Sequence, residues 1–242
     1  RTTARQHWML TYSPGFTFYQ HTTTLNAADQ NANLNFEYRL SPHTTINLDD
    51  SFQKTSNVFS EPYLSGGSIS GSTQPIPAEV VAPYANQLSN TATVGISYQF
   101  SRNDMLGAGG IATEANYLNP SEASGLYNAD SAGGSAFFSH LMSSTQYIGV
   151  TYQYLRSQSD PVNAKANPLN TAAEVQTHTL LSFYTIYFNP TFSLSLSGGP
   201  QYFDATQSPS APAHSWNPSA TASIGWQNRR TNLVLSYSRT VT

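Results

Sequence analysis

The stretch Thr93-Val94-Gly95-Ile96-Ser97-Tyr98-Gln99-Phe100 alternates strictly between polar and apolar side chains. A period of two predicts a β-strand with one apolar and one polar face. The turn residues Ser101-Arg102-Asn103-Asp104 follow directly. Similar alternation precedes Ser41-Pro42-His43 and Asn189-Pro190. One unit, an alternating strand followed by a short turn, therefore recurs along the chain.

The alternation and the turn residues together predict eleven strands. We place them at 6–20, 31–40, 44–54, 90–100, 105–118, 134–142, 146–156, 175–188, 191–203, 218–227 and 231–241. The connections between them are alternately short and long. The long loops are 21–30, 55–89, 119–133, 157–174 and 204–217. Tight turns on one side and long loops on the other are typical of outer-membrane barrels, whereas a soluble sandwich mixes its loop lengths.

The composition supports strands that cross a membrane. Charged residues make up 10% of the 242 residues, against roughly 25% in soluble domains. No window approaches the ~18 apolar residues that a spanning helix needs. A barrel strand meets lipid on one face only, so its sequence stays polar on average. The chain has no cysteine, and its 10 Lys and Arg residues do not cluster, which argues against thiolate metal sites and against nucleic-acid binding.

The two strand faces carry different residue types. Many aromatic residues lie at strand ends, as in the aromatic belts of membrane barrels. Those that we assign to a girdle beside the short turns are Tyr38, Tyr98, Phe100, Phe188, Phe192 and Trp226. The polar face is small and neutral, as in the Ser193-x-Ser195-x-Ser197 series. In a barrel, such residues line a wet lumen.

These turns, aromatic strand ends and alternating runs resemble the outer-membrane β-barrel proteins of Gram-negative bacteria, porin-like proteins in particular. The resemblance covers nearly the whole chain, is architectural and implies no specific member. It implies an all-β, antiparallel up-and-down transmembrane barrel formed by one domain, 1–242. Such barrels have an even strand number. Our count is odd, so either one strand is miscounted, or Pro14-Gly15 divides the first long segment into two pieces, or the chain is a fragment of a larger barrel. We favour the fragment, and expect 11–12 strands in the chain and 12–16 in the barrel.

A few charged or titratable residues are candidates for a lumen eyelet that sets ion preference. Glu37 and Arg39 lie two apart on one face near a short turn, and an ion pair that pins the strand register is the alternative role. The full set of lumen candidates is Glu37, Arg39, Asp49, Glu114, Arg156 and His178. The six histidines show no metal-binding spacing, and no Ser–His pair is preformed on a strand. We therefore expect no catalytic site, no metal site and no cofactor.

The main functional hypothesis is a passive pore for small solutes in the bacterial outer membrane. The expected partners are outer-membrane lipid, other envelope proteins or further copies of the chain, but not nucleic acid. An alternative is a structural or adhesive anchor whose long loops, above all 55–89, bind a partner without transport. A soluble or fibrous all-β surface protein, with edges that pair between molecules, is a further alternative.

Overall fold

The computed structural model describes residues 5–21, 26–56, 86–119, 123, 126–162, 172–207, 211–228 and 231–239. It contains the eleven predicted strands. They are β1 (Gln6–Thr17), β2 (Ala27–Ser41), β3 (Thr44–Thr55), β4 (Gln87–Gln99), β5 (Asp104–Tyr117), β6 (Tyr127–Ser143), β7 (Gln146–Pro161), β8 (Ala173–Asn189), β9 (Phe192–Gln207), β10 (Ala213–Asn228) and β11 (Thr231–Arg239). The predicted fold class is confirmed as all-β with an up-and-down order.

All strands belong to one antiparallel sheet whose spatial order, β1 to β11, is the order of the chain. Each strand therefore pairs with its neighbours in sequence, as short turns favour. The register is continuous apart from irregularities beside the short turns, for example between Arg39 and Ser41. Within the described strands, β1 and β11 are the two edges of the sheet and do not pair with each other. The total strand number of the barrel stays a prediction.

Most strands reach further into the long connections than the sequence predicts, although β1 ends at Thr17, three residues before its predicted end. β2 begins at Ala27, β6 begins at Tyr127 and β9 ends at Gln207. These extra segments are rich in Asn, Asp, Gln and Ser, so they show no apolar alternation. Backbone hydrogen bonds to a neighbouring strand need no such alternation, and pairing therefore continues past the apolar part. The interior of the predicted 55–89 loop lies outside the described residues.

The register assigns every strand residue to one of two faces, because directly opposite residues of an antiparallel pair project to the same side. Away from the irregular ends, odd-numbered residues of β1 to β10 share one face and even-numbered residues share the other. The pairs Ile96↔Ala108 and Ser97↔Gly107 show this between β4 and β5. In β11 the order is reversed, since Leu233 is opposite Trp226. We call the odd-numbered, largely polar face the inner face and the other the outer face.

Burial distinguishes these faces in the opposite sense to a soluble protein. On the outer face, Leu10 is 62% exposed and Val94 is 52% exposed. Buried strand residues such as Ser219 and Leu181, at 4% and 5% exposure, lie on the inner face. A curved sheet crowds its concave side, so the inner face is the concave one. Among the described residues, no helix is long and apolar enough to cross a membrane.

Candidate functional site

The inner face is a surface of short polar side chains that bond to one another across strands. Ser51 Oγ donates to Asn33 Oδ1 over 2.8 Å between β3 and β2. The hydroxyl groups of Ser131 and Ser157 lie 2.9 Å apart between β6 and β7. These bonds satisfy polar groups that the concave side half-buries. The inner face therefore offers water or solute a wall of hydroxyl and amide groups.

Among the described strand residues, the charged side chains and histidines of the inner face lie on β1 to β3, and we call this part the charged sector. Its members are His7, Asp29, Glu37, Arg39 and Asp49. The Arg39 Nε donates to Glu37 Oε1 over 3.1 Å, and both side chains are well exposed. His7 is directly opposite Glu37, which makes it a member that the sequence reasoning missed. Asn35 Nδ2 donates to Asp49 Oδ1.

The inner face of β4 to β10, which we call the neutral sector, has no Asp, Glu, Lys, Arg or His at any strand position. All such residues of these strands lie on the outer face. They are Asp104, Glu114, Asp130, His140, Arg156, Asp160, Glu174, His178, Asp204 and His214. The distribution of charge between the two faces is therefore one-sided over most of the sheet.

Three residues proposed for the lumen lie on the opposite face of the sheet from Glu37, Arg39 and Asp49. Glu114 is opposite Asn90, Arg156 is opposite Ala132, and His178 is opposite Tyr154, all on the outer face. The sequence reasoning that proposed them for the lumen weighed their charge and not their parity within the strand. Parity could have shown this difference, since Arg156 is an even number of residues from Val150 and Tyr152.

The outer face near the long connections has a row of aromatic rings that the sequence reasoning found only in part. Tyr154, His178, Tyr202 and Trp216 are successive partners across β7 to β10. The ring centroids of Tyr154 and His178 are 4.8 Å apart, and those of Tyr202 and Trp216 are 5.1 Å apart. Beyond this row the outer face becomes polar. There Arg156 donates two hydrogen bonds to Glu174, of 2.8 and 2.9 Å.

The other aromatic belt lies beside the short turns. All six predicted girdle residues are outer-face residues or extend that face at a strand end. Phe188 and Phe192 pack 5.3 Å apart across their turn, and Phe100 stacks on Phe138. Phe192 and Tyr202 mark the two belts on β9, ten residues apart. At a rise of about 3.3 Å and a tilt of about 40°, ten residues span about 25 Å, the height of the apolar band of a membrane barrel.

Large apolar residues on the inner face are the main feature that sequence reasoning missed. Phe137, Leu155 and Phe183 lie there among serines and threonines. Each stands beside an apolar residue that faces outward, as in Phe137-Phe138 and Phe183-Tyr184. Two adjacent apolar residues break the alternation, and that break was the available signal.

Comparison with known proteins gives structural likenesses only. The ferric enterobactin receptor PfeA of Pseudomonas aeruginosa matches with a TM-score of 0.62 at 11% identity, over 98% of this chain and 40% of the receptor. The ferric-catecholate import receptor Fiu of E. coli matches with a TM-score of 0.53 at 10% identity, over 98% of this chain and 50% of that one. The CymD monoaromatic hydrocarbon channel has a TM-score of 0.45 at 11% identity, over 98% and 75%.

Neither a protein-family model nor a curated protein matches the chain. At such low identity the structural likenesses define the fold, which is that of outer-membrane transmembrane β-barrels. The chain spans less than half the length of the enterobactin receptor.

Proposed function

We propose that the chain forms the wall of an outer-membrane pore through which small solutes diffuse passively. The observation that carries this proposal is the inverted pair of faces. The outer face is apolar and exposed between two aromatic belts, whereas the inner face is polar and less exposed. Lipid on the outside and water on the inside suit these faces.

The inner face supports diffusion better than tight binding. Its side chains are mostly short, and neighbouring hydroxyls already bond to each other, as between Thr185 and Ser195 over 3.0 Å. A passing solute replaces hydrogen bonds to water with hydrogen bonds to the wall. The net gain in free energy is small, because each replacement contributes only about 1 kcal/mol. Most of the wall is neutral, so we expect weak ion preference set by the charged sector.

Planar-bilayer conductance of the full-length protein tests the proposal. We expect discrete current steps that Ser195→Trp reduces and Leu196→Trp leaves unchanged. The two positions are adjacent on β9, but Ser195 lies on the inner face and Leu196 on the outer face. A folded protein that gives no current steps over a wide voltage range contradicts the pore. Equal effects of the two variants contradict the assignment of the faces.

A structural or adhesive anchor is the second candidate. β7 continues beyond Tyr154 to Pro161, and β9 continues beyond Tyr202 to Gln207. Strands that pass the aromatic row on the loop side carry a polar outer surface that suits a partner. Deletion of residues 57–85 that abolishes binding of a surface partner while folding persists favours the anchor. Ion permeability that is unchanged by Glu37→Gln and Arg39→Ala points the same way.

We also propose that the protein resides in the bacterial outer membrane, contacts its lipid through the outer face and acts without catalysis or a cofactor. Among the described residues, no group of three His, Cys, Asp or Glu side chains is placed to hold a metal. The closest acid–histidine pair, Asp104 and His140 at 2.6 Å, is on the outer face, whereas Ser139 projects inward. That division argues against a hydrolase triad.

A further inference from the structure

Three of the large apolar residues of the inner face lie on the neighbouring strands β6, β7 and β8. Phe137 of β6 shares a register row with Thr151 of β7 and Leu181 of β8. Phe183 is the next inner residue of β8 after Leu181, and Leu155 lies two inner positions along β7 from Thr151. Leu181 is buried, whereas Phe137, Leu155 and Phe183 are half-buried and keep part of their surface toward the concave side. We call these three residues the apolar track.

Each residue of the apolar track lies over a glycine of the preceding strand. A Cβ on Gly107 would meet the Phe137 ring, with Cζ at 2.7 Å. A Cβ on Gly149 would meet the Phe183 ring, with Cε1 at 2.7 Å, and one on Gly133 would lie 3.0 Å from Leu155 Cδ1.

A glycine leaves room for a large neighbouring side chain to rest on the backbone. The rings of Phe137 and Phe183 therefore lie along the wall, and their free surface faces the concave side without blocking it.

The surroundings of the apolar track favour neutral molecules. Every strand position of the neutral sector lacks a formally charged side chain. The nearest polar groups are hydroxyls such as Thr151 and Ser139, in the same rows or beside them. A solute with an apolar group gains by covering the rings, because apolar surface is removed from water. Its polar part finds hydroxyls close by, whereas an ion finds no opposite charge.

We propose that the apolar track makes the pore selective for small neutral solutes that carry an aromatic or aliphatic group. This inference rests on the proposed pore function and names the class of solute that the pore favours. The proposed occupant of the apolar track is a solute that passes through the pore. The competing occupant is a segment of the chain that covers the track.

Swelling of proteoliposomes that contain the full-length protein tests this inference with two glucosides, phenyl β-D-glucoside and methyl β-D-glucoside. They share a sugar that keeps them from crossing lipid rapidly, and they differ in one apolar group. A purely aqueous pore admits the smaller methyl glucoside faster. We expect phenyl β-D-glucoside to enter at least as fast, and the double variant Phe137→Ser and Phe183→Ser to lower the phenyl-to-methyl rate ratio about threefold to tenfold.

The control variant is Phe138→Ser, which removes the same side chain from the outer face next to Phe137. It should leave the rate ratio unchanged. Faster entry of the methyl glucoside, with no effect of the double variant, overturns the inference while the pore stands. A track covered by another segment of the chain would give the same result. Entry of neither glucoside into liposomes that contain folded protein overturns the pore itself and the inference with it.

Discussion

The charged and neutral sectors share one sheet, one strand geometry and one concave side, yet their inner faces differ in chemistry. In the charged sector, Glu37, Arg39 and His7 lie together on neighbouring strands. In the neutral sector, glycines and large apolar residues form pairs across strands, such as Gly107 with Phe137. The outer faces of both sectors are alike in their exposed apolar residues. The outer face therefore keeps one apolar character along the whole sheet, whereas the chemistry of the inner face varies from strand to strand.

The contrast between the sectors predicts which substitutions change folding and which change permeation through the proposed pore. Close glycine contacts in the neutral sector involve backbone atoms and admit no larger residue without a shift. Exposed ion pairs of the charged sector contribute little to stability. We therefore expect changes in the neutral sector to alter folding or pore shape, and changes in the charged sector to alter ion preference.

The largest effect is expected for Gly199→Ala on the inner face of β9. A Cβ there would overlap the backbone carbonyl of Leu180 and lie 3.2 Å from Leu181 Cα. We expect a loss of about 1–3 kcal/mol in the free energy of unfolding, measured by urea unfolding in lipid vesicles. The matched control is Gly198→Ala, whose nearest contact would be Ser219 O at an ordinary 3.6 Å. Equal losses in both variants contradict the close approach of β8 and β9.

The next effect is a change of ion selectivity in the charged sector. Arg39→Ala removes a positive charge beside Glu37, so the permeability ratio of K⁺ to Cl⁻ should rise about twofold. Glu37→Gln should lower it. Reversal potentials in a salt gradient measure both ratios.

Glu114→Gln is the control for these two variants, since Glu114 lies on the outer face. The ratio should then remain at the wild-type value. A shift as large as that of Glu37→Gln restores Glu114 to the lumen and contradicts the register between β4 and β5.

A smaller effect is expected for Gly107→Ala. The added methyl group would meet the Phe137 ring and lie 2.8 Å from Ile96 O. The ring tip moves easily and should swing toward the concave side, which narrows the proposed pore. The Ile96 carbonyl belongs to the backbone, so we also expect some loss in the free energy of unfolding, smaller than for Gly199→Ala. We expect a fall in single-channel conductance of roughly a fifth, because one displaced ring occupies a small part of the lumen. Gly95→Ala, with its nearest contact at 4.0 Å, should leave conductance unchanged.

The smallest effect is expected for Arg156→Ala on the outer face. The variant breaks the pair with Glu174, but the Arg156 side chain is 52% exposed, so the loss should be within about 1 kcal/mol. Ion selectivity should not change, in contrast to Arg39→Ala. A selectivity shift comparable to that of Arg39→Ala places Arg156 on the conduction path and reverses our assignment of its face.

Sequence reasoning predicted the strand pattern well because strand and turn signals are local. The alternation of a segment such as 93–100 is visible in the sequence alone, and the short connections among the described residues lie near their predicted positions. It failed at the ends of β6 and β9 next to the long connections. There the residues are polar on both faces, and only pairing with a neighbouring strand shows that they are extended.

The candidate site was predicted less well than the fold. Glu37, Arg39 and Asp49 lie on the inner face, whereas Glu114 and Arg156 do not. A charge in a strand has two ways to reach water, through the lumen or beyond the apolar band. Which of the two routes a charged side chain takes depends on its position along the strand relative to the aromatic row. That position is known only from the pairing with neighbouring strands.

The sequence alone was enough to predict the class of fold. Its period of two, its scarcity of charge and its alternating loop lengths are local signals, because each depends on a single strand and the turn or loop next to it. Only the tertiary structure shows which residues of different strands lie opposite each other and on which face of the sheet. It placed His7 opposite Glu37, removed His178 from the inner face, and laid Phe137 over Gly107. Strand register brings together residues that are distant in the chain. Side chains of neighbouring strands form one continuous face only when the register places them on the same side of the sheet.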